Sequence, residues 1–332
     1  MAVPTLTTVL KRILKQPTAP FHEYHVRKEI EKLLADCPHV KLKRDRFGNL
    51  IATYKNGKRP SKEQWVLGAH MDHPAFVKTP GSKKRGSWDF LGGVAPEVVE
   101  EGIAMGLRKA KGEIATWNFP VRVTDEQIEA PACDDLVGCA VIVATLWGLA
   151  SLDIKTTVHA VFTRAEEVGF IGAYHLGRKW PFSDDAIFIS VETSRPVNGS
   201  FMGDGPVLRV GDRISVFDAD AIDAILKTAV AQGLPLQRAL LDAGACEATA
   251  IRACGYRSVG LSIPLGNYHN MDKAKNIAPE YVMMSDVKQL VSLLKALVGT
   301  KATNFGVRTL EERFELRMKE HADHMKAAKK LF

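Results

Sequence analysis

The sequence predicts an α/β fold, a largely parallel mixed sheet flanked by helices and interrupted by a small β insertion. Apolar, β-rich runs alternate with segments of helical period, the pattern of strand–helix–strand units. Four of these runs, WVLGA (65–69), TTVHAVFT (156–163), AIFISV (186–191) and SVGLSI (258–263), are too short for helices. Residues 75–129 instead carry Gly-, Lys- and Val-rich extended pieces such as GEIATWNFPVRV. At ~150 residues per domain the 332 residues suggest two units. They divide best as one discontinuous α/β unit, 1–74 and 130–332, around the insertion at 75–129.

The elements follow in order. Residues 22–36 place Val26, Ile30, Leu33 and Leu34 on one helical face. KLKRDRFGNLIATYKNGK then reads as a strand, a Gly-Asn turn and a returning strand. Further helices are expected at 136–150, 170–179, 218–232, 246–254 and 280–298. A last amphipathic segment, 309–331, spaces Leu310, Phe314, Met318 and Met325 along one face. The simpler reading packs that face on its own domain, and the alternative is a subunit contact. No repeat, low-complexity tract or Pro-rich linker is present.

Composition narrows the class. With 46% hydrophobic and 25% charged residues the chain is an ordinary globular one, neither disordered, collagenous nor disulfide-dense. The formal charge of +7 raises the question of nucleic acid, and the location of the charge answers it. Residues 41–63 contribute +6, 78–86 +4 and 301–332 +3, leaving the remainder at −6. No basic stretch is interleaved with stacking aromatics, and no helix-turn-helix or zinc finger is legible, so no nucleic-acid partner is expected. The basic loop Lys83-Lys84-Arg85 reads as a solvated loop first and as an attractor of acidic substrates second. The longest apolar stretch, 138–152, falls short of the ~20 residues of a membrane span. The N-terminal residues place Lys and Arg after their few apolar residues, unlike a secretory signal. Five scattered cysteines fit reduced thiols in a cytoplasmic protein.

Sites in open α/β sheets form at the carboxyl ends of strands, so the residues after each apolar run matter most. WVLGA runs into His70-Met71-Asp72, TTVHAVFT into Arg164-Ala165-Glu166-Glu167, AIFISV into Glu192, and SVGLSI leads to His269. Asp134-Asp135 stands directly before an apolar helix. Each has an ordinary structural use: a hydrogen-bonded His-Asp pair, an acidic N-cap, a solvated helix start. Together, two imidazoles and several carboxylates at corresponding strand ends form a donor set for zinc or a similar divalent metal.

These residues resemble the cocatalytic dinuclear zinc exopeptidases, whose elements run His-x-Asp, Asp, Glu-Glu, Asp or Glu, and His. Within that clan the chain is most similar to the glutamyl, deblocking and tetrahedral aminopeptidase branch. The stretches that carry the similarity are PTAPFHE (17–23), DRFGNLIATY (45–54), VLGAHMDHPAF (66–76), CDDLVG (133–138), EEVGFIGA (166–173) and IPLGNYHN (263–270). The resemblance spans about residues 15–300. It implies that Asp134 bridges two metal ions, that His70 and Glu192 complete one, and that Glu167 and His269 complete the other. It further implies that Asp72 accepts a hydrogen bond from the far nitrogen of His70. Asp135 would follow Asp134 across a strained peptide that a cis bond would suit, and Glu166 would be the general base. The implied cofactors are two divalent ions per chain, zinc first, with Co or Mn suiting the same donors. The implied activity is removal of N-terminal residues from short peptides by a homo-oligomer, the insertion serving oligomerisation or substrate gating.

The chain departs from that branch at three points. Glu192 stands where the branch often has Asp, and Glu is common there among the clan's carboxypeptidases and deacylases. The insertion is shorter than the domain that helps build large tetrahedral assemblies. The last element reads Asn-Tyr-His-Asn where Arg-Tyr before a spaced His is more usual. Two other functions are therefore weighed: a dinuclear carboxypeptidase or N-acyl amino acid deacylase, favoured by Glu192 alone, and a non-catalytic metal-binding scaffold, opposed by the presence of the non-ligand Glu166.

Overall fold

A computed structural model describes residues 3–57, 65–81, 87–299 and 310–329. The chain begins with α1 (Leu6–Leu14), α2 (Tyr24–Leu34), β1 (Val40–Arg44), β2 (Leu50–Lys55) and β3 (Trp65–His70). There follow β4 (Ala75–Lys78), β5 (Trp88–Leu91), α3 (Pro96–Ala104), β6 (Arg108–Lys111), β7 (Ile114–Trp117), β8 (Arg122–Val123) and β9 (Gln127–Ala130). The α/β alternation resumes with α4 (Leu136–Ser151), β10 (Thr157–Thr163), α5 (Ile171–Arg178), β11 (Ile187–Ser194), β12 (Val207–Asp212), α6 (Ala219–Ala231) and β13 (Gln237–Leu241). It closes with α7 (Glu247–Ala253), β14 (Arg257–Gly266), β15 (Glu280–Met283), α8 (Met284–Gly299), α9 (Leu310–Glu320) and α10 (Ala322–Ala328).

The main sheet runs β1-β2-β10-β3-β11-β14-β15-β9-β8, with β12 against β14 and β13 beyond it. Its centre is parallel: β3 lies between β10 and β11, and β11 pairs with β14. The β1–β2 hairpin, β12 and β15 add antiparallel pairs, so the expected largely parallel mixed sheet is the one observed. Strands covered by helices on both faces need apolar side chains on both, which is why β3 reads as a continuous run and is buried at every position. Helix α4 is apolar all round because it is enclosed, packing on α1, α8, β3 and β11. Asp135 caps it, its carboxylate accepting from the Gly138 N–H at 3.1 Å. A Cβ on Gly138 would overlap that carboxylate.

Segment 75–129 forms a separate antiparallel sheet, β5-β4-β7-β6, with a core of Phe76, Val98, Val99, Ala115 and Trp117. It is less purely β than its sequence suggests. Pro96 at the first turn starts the helix α3, which buries Val98 and Val99. Strands β8 and β9 leave this sheet and join the main one through β15.

Two further differences from the sequence reading have physical causes. The helix expected over 280–298 begins only at Met284, because Glu280–Met283 is taken up as β15 between β9 and the tip of β14. The C-terminal segment is two helices, and Phe314, Met318 and Met325 are 56%, 58% and 51% exposed; the described residues of that face do not pack on the domain. The basic loop Lys83-Lys84-Arg85 lies outside the described residues.

Tight strand spacing makes one test direct. A Cβ on Gly68 of β3 would enter the ring of Phe188 on β11. Gly68→Ala is expected to lower the stability of the metal-free chain by about 1–3 kcal/mol, read as a shifted urea midpoint at unchanged slope.

Candidate metal centre

The strand order brings the carboxyl ends of β3, β10, β11 and β14 side by side. His70 closes β3 in register with Thr163 of β10, so the turn Arg164–Glu167 emerges beside it. Glu192 sits near the end of β11 opposite Ser262 of β14. Beyond β14 the chain turns through Asn267, His269 and Asn270 at φ of +54°, +54° and +61°. Asp134 enters from the start of α4, and its peptide bond to Asp135 is cis.

All five expected ligand residues converge here. His70 Nε2 faces three carboxylate oxygens: Asp134 Oδ1 at 3.4 Å, Glu192 Oε2 at 3.7 Å and Glu166 Oε2 at 3.9 Å. His269 Nε2 faces Glu167 Oε2 at 3.2 Å and the other Asp134 oxygen, Oδ2, at 4.0 Å. Asp134 thus presents one oxygen to each imidazole. Three groups of donor atoms close enough for one ion result: His70 with Glu166 and Glu167, His70 with Asp135 and Glu192, and Asp134 with Glu167 and His269. Donors held ~2.0–2.2 Å from one tetrahedral ion lie about 3.3–3.6 Å apart, and the separations here, 3.2–4.0 Å, bracket that range. Asp134 Oδ1, Glu167 Oε1 and His269 Nε2 are buried and make no hydrogen bond; the approach of His269 to Glu167 is close but misaligned. Buried donor and acceptor atoms left without partners on both sides of Asp134 fit divalent cations.

Neighbouring residues hold this cluster. The far nitrogen of His70 meets the backbone carbonyl of Asp72 at 3.2 Å, with the Asp72 carboxylate at 3.6 Å. That carboxylate accepts instead from the N–H groups of Glu166 and Glu167, at 3.0 and 3.1 Å. Glu23 accepts from Ala165 N–H at 3.0 Å and pairs with Arg164 at 2.7 Å, fixing the turn in which Ala165 has φ +55°. His269 Nδ1 is 3.1 Å from the carbonyl of Gly93, so the inserted segment orients a site residue. Sequence reasoning missed Glu280, Glu247 and Arg209, all buried. Glu280 was hidden inside an expected helix. Glu23 lies in the PTAPFHE stretch, whose resemblance to the family implies no role for it.

Crowded carboxylates set the electrostatics. Burial pushes the Glu166 carboxyl well above its usual range, and Glu192 and Glu167 push it further. Burial, with Glu192 beside it, raises Glu247 to about 8. Burial opposes protonation of the imidazoles, but the acids outweigh it: His269 rises to about 9, chiefly through Glu167, and His70 is held well above its ordinary value, chiefly through Glu166. The cleft over the cluster is narrow, with about 70 Å³ of space open to water-sized groups, and is walled by Thr193, Ser194, Arg195, Val197, Leu241 and Ala243–Ala245.

A parallel-centred α/β sheet with imidazoles and carboxylates converging at its strand ends is the framework of a metal-dependent hydrolase. Residues 97–293 match the model of the M42 glutamyl aminopeptidase family, and the chain belongs to that family. It is a metal-dependent aminopeptidase, a hydrolase of peptide bonds, and the deacylase and scaffold readings give way. A protein of Acetivibrio thermocellus, provisionally named an aminopeptidase, is 26% identical over 318 residues, 82% of this chain and 92% of that protein. The Pyrococcus horikoshii TET1 peptidase, which can assemble into a tetrahedron or a large octahedral shell, superposes with a TM-score of 0.73 at 19% identity. That match covers 90% of this chain and 100% of the other. The aminopeptidase APDkam598 of Desulfurococcus kamchatkensis gives 0.71 at 20% identity over 92% and 98%. At these identities the two structures establish the fold.

Imidazoles that carry protons in the metal-free chain must lose them to bind a cation. Adding Zn²⁺ at pH 7 is therefore expected to release protons, measured by calorimetry in buffers of different ionisation enthalpy. The raised pKa of His269 sets the sign: apparent affinity falls as pH drops below about 9, and the share of proton release from His269 vanishes above it.

Proposed function

We propose that His70, Asp134, Glu167, Glu192 and His269 hold two divalent ions, zinc in the first instance, and that the cleft removes N-terminal residues from short peptides. The observation that carries this reading is the Asp134 carboxylate, whose two oxygens face the two imidazoles at 3.4 and 4.0 Å. When bound, the ions supply Lewis acidity, polarising the scissile carbonyl and acidifying a water.

The protein's own residues do the rest. Glu166 reaches the cluster with an 11% exposed side chain, and its carboxylate takes the proton from the attacking water and delivers it to the leaving amine. Asp72 holds the adjacent N–H groups of Glu166 and Glu167, so that one carboxylate turns to the ion and its neighbour to the substrate. The backbone carbonyl of Asp72 orients His70. The residue being removed is assigned to the wall formed by Val197, Leu241 and Ala243–Ala245.

We further infer that the chain acts as a homo-oligomer in the cytoplasm, with 75–129 as a distinct unit serving assembly or access. Support comes from the exposed Ile103 and Met105 of that segment and from the assembly described for the Pyrococcus peptidase. A light-scattering mass of one chain would overturn the oligomer.

Replacing Glu166 by Gln is expected to lower kcat on aminoacyl anilides by about 10²–10⁴-fold while two ions per chain remain bound. Full activity in that variant would remove Glu166 from the role of base. A chelator should abolish hydrolysis of a free-amino dipeptide amide, and an N-acetylated amino acid should not be cleaved at a comparable rate.

A further inference from the structure

Glu280 of β15 is fully buried and accepts from the backbone of Asp134 and His269 without belonging to the set of candidate ligands. Its Oε2 accepts from the backbone N–H groups of Cys133 and Asp134, at 2.8 and 2.9 Å. Its Oε1 accepts from the N–H of His269 at 2.8 Å. One rigid carboxylate thereby fixes the separation between the residue whose oxygens are shared and the residue that supplies the far imidazole. His73 spans the same gap, its Nδ1 2.6 Å from the Asp134 carbonyl and its Nε2 3.0 Å from Asn270 Oδ1. The His70 half is held differently, by the β3–β10 register and by Asp72.

The need for such a tie is visible in the backbone. Asn267, His269 and Asn270 all adopt left-handed φ, an uncommon region for non-glycine residues that Asn and His enter more readily than most, so the loop relies on its contacts to hold all three there at once. A hydrogen bond from the N–H of His269 to a carboxyl group whose other oxygen is fixed on Cys133 and Asp134 is a constraint of that kind. Removing it frees the imidazole to swing away from Glu167 and Asp134.

We propose that Glu280 is a positioning residue that makes the group Asp134, Glu167 and His269 competent to retain its metal ion, independently of the group around His70. This rests on the ligand assignment made under Proposed function. Glutamine is the discriminating substitution. With its amide oxygen on Cys133 and Asp134, its NH₂ would meet the His269 N–H, donor against donor. The E280Q variant therefore releases the His269 half selectively.

The test is a chelator-competition titration of metal-free wild type and E280Q with Co²⁺, following the absorption spectrum as each ion binds, alongside the melting temperature of both metal-free proteins. The first ion should bind E280Q with wild-type affinity and spectrum, and the second about 10–100-fold more weakly. Equal weakening of both ions, or no weakening, overturns the proposal. Should E280Q fail to fold, E280D is titrated in its place under the same criterion. Wild type that binds fewer than two ions would overturn the ligand assignment itself, whereas two tight ions in both proteins would remove only the role of Glu280.

Discussion

The mutual repulsion of buried carboxylates is the constraint around which this molecule is arranged. Asp134, Asp135, Glu166, Glu167, Glu192 and Glu247 surround two imidazoles with side chains that are almost wholly buried. Negative charges at these separations interact strongly where the dielectric is low, and burial alone already disfavours their ionised forms. In the metal-free chain the acids draw protons onto His70 and His269, and burial favours the protonated form of Glu247, as partial compensation. Cations placed among them answer the same need more completely, which ties folding, protonation and metal binding into one equilibrium.

Holding repelling groups together demands a stiff frame, and the sheet supplies it. Four parallel strands with fixed register deliver His70, Glu166–Glu167, Glu192 and the loop of His269 to one edge. Residues outside the ligand set then lock the loops: Glu23 and Asp72 grip successive N–H groups of the Glu-Glu turn, and Glu280 grips those of Asp134 and His269. Carboxyl groups serve as backbone acceptors at each of these points, because their two oxygens can hold N–H groups of two segments at once. The inserted segment takes part as well, through the Gly93 carbonyl on His269.

Much of this was legible in order along the chain. Apolar runs marked the strands, and the acidic or imidazole residue after each run marked the site, since strand ends at the edge of a parallel sheet are where polar side chains can gather. Where the reading faltered, local sequence was compatible with two structures. Glu280–Met283 suits a helix or a strand in isolation, and only the vacant edge of β9 makes it a strand. The C-terminal face containing Phe314 and Met318 has helical spacing whether or not anything covers it.

The sequence by itself determined the α/β class, the number and order of site elements and the chemical types of the donors, because periodicity and residue chemistry are properties of the chain. Which oxygen of Asp134 faces which imidazole, that the Asp72 carboxylate grips the Glu-Glu turn while its carbonyl meets His70, and that Glu280 joins segments 11 and 146–147 residues away were decided only by the tertiary structure. The physical reason is distance. A hydrogen bond or a shared ligand is defined to a few tenths of an ångström, and that placement comes from strand register and loop packing that no local stretch encodes.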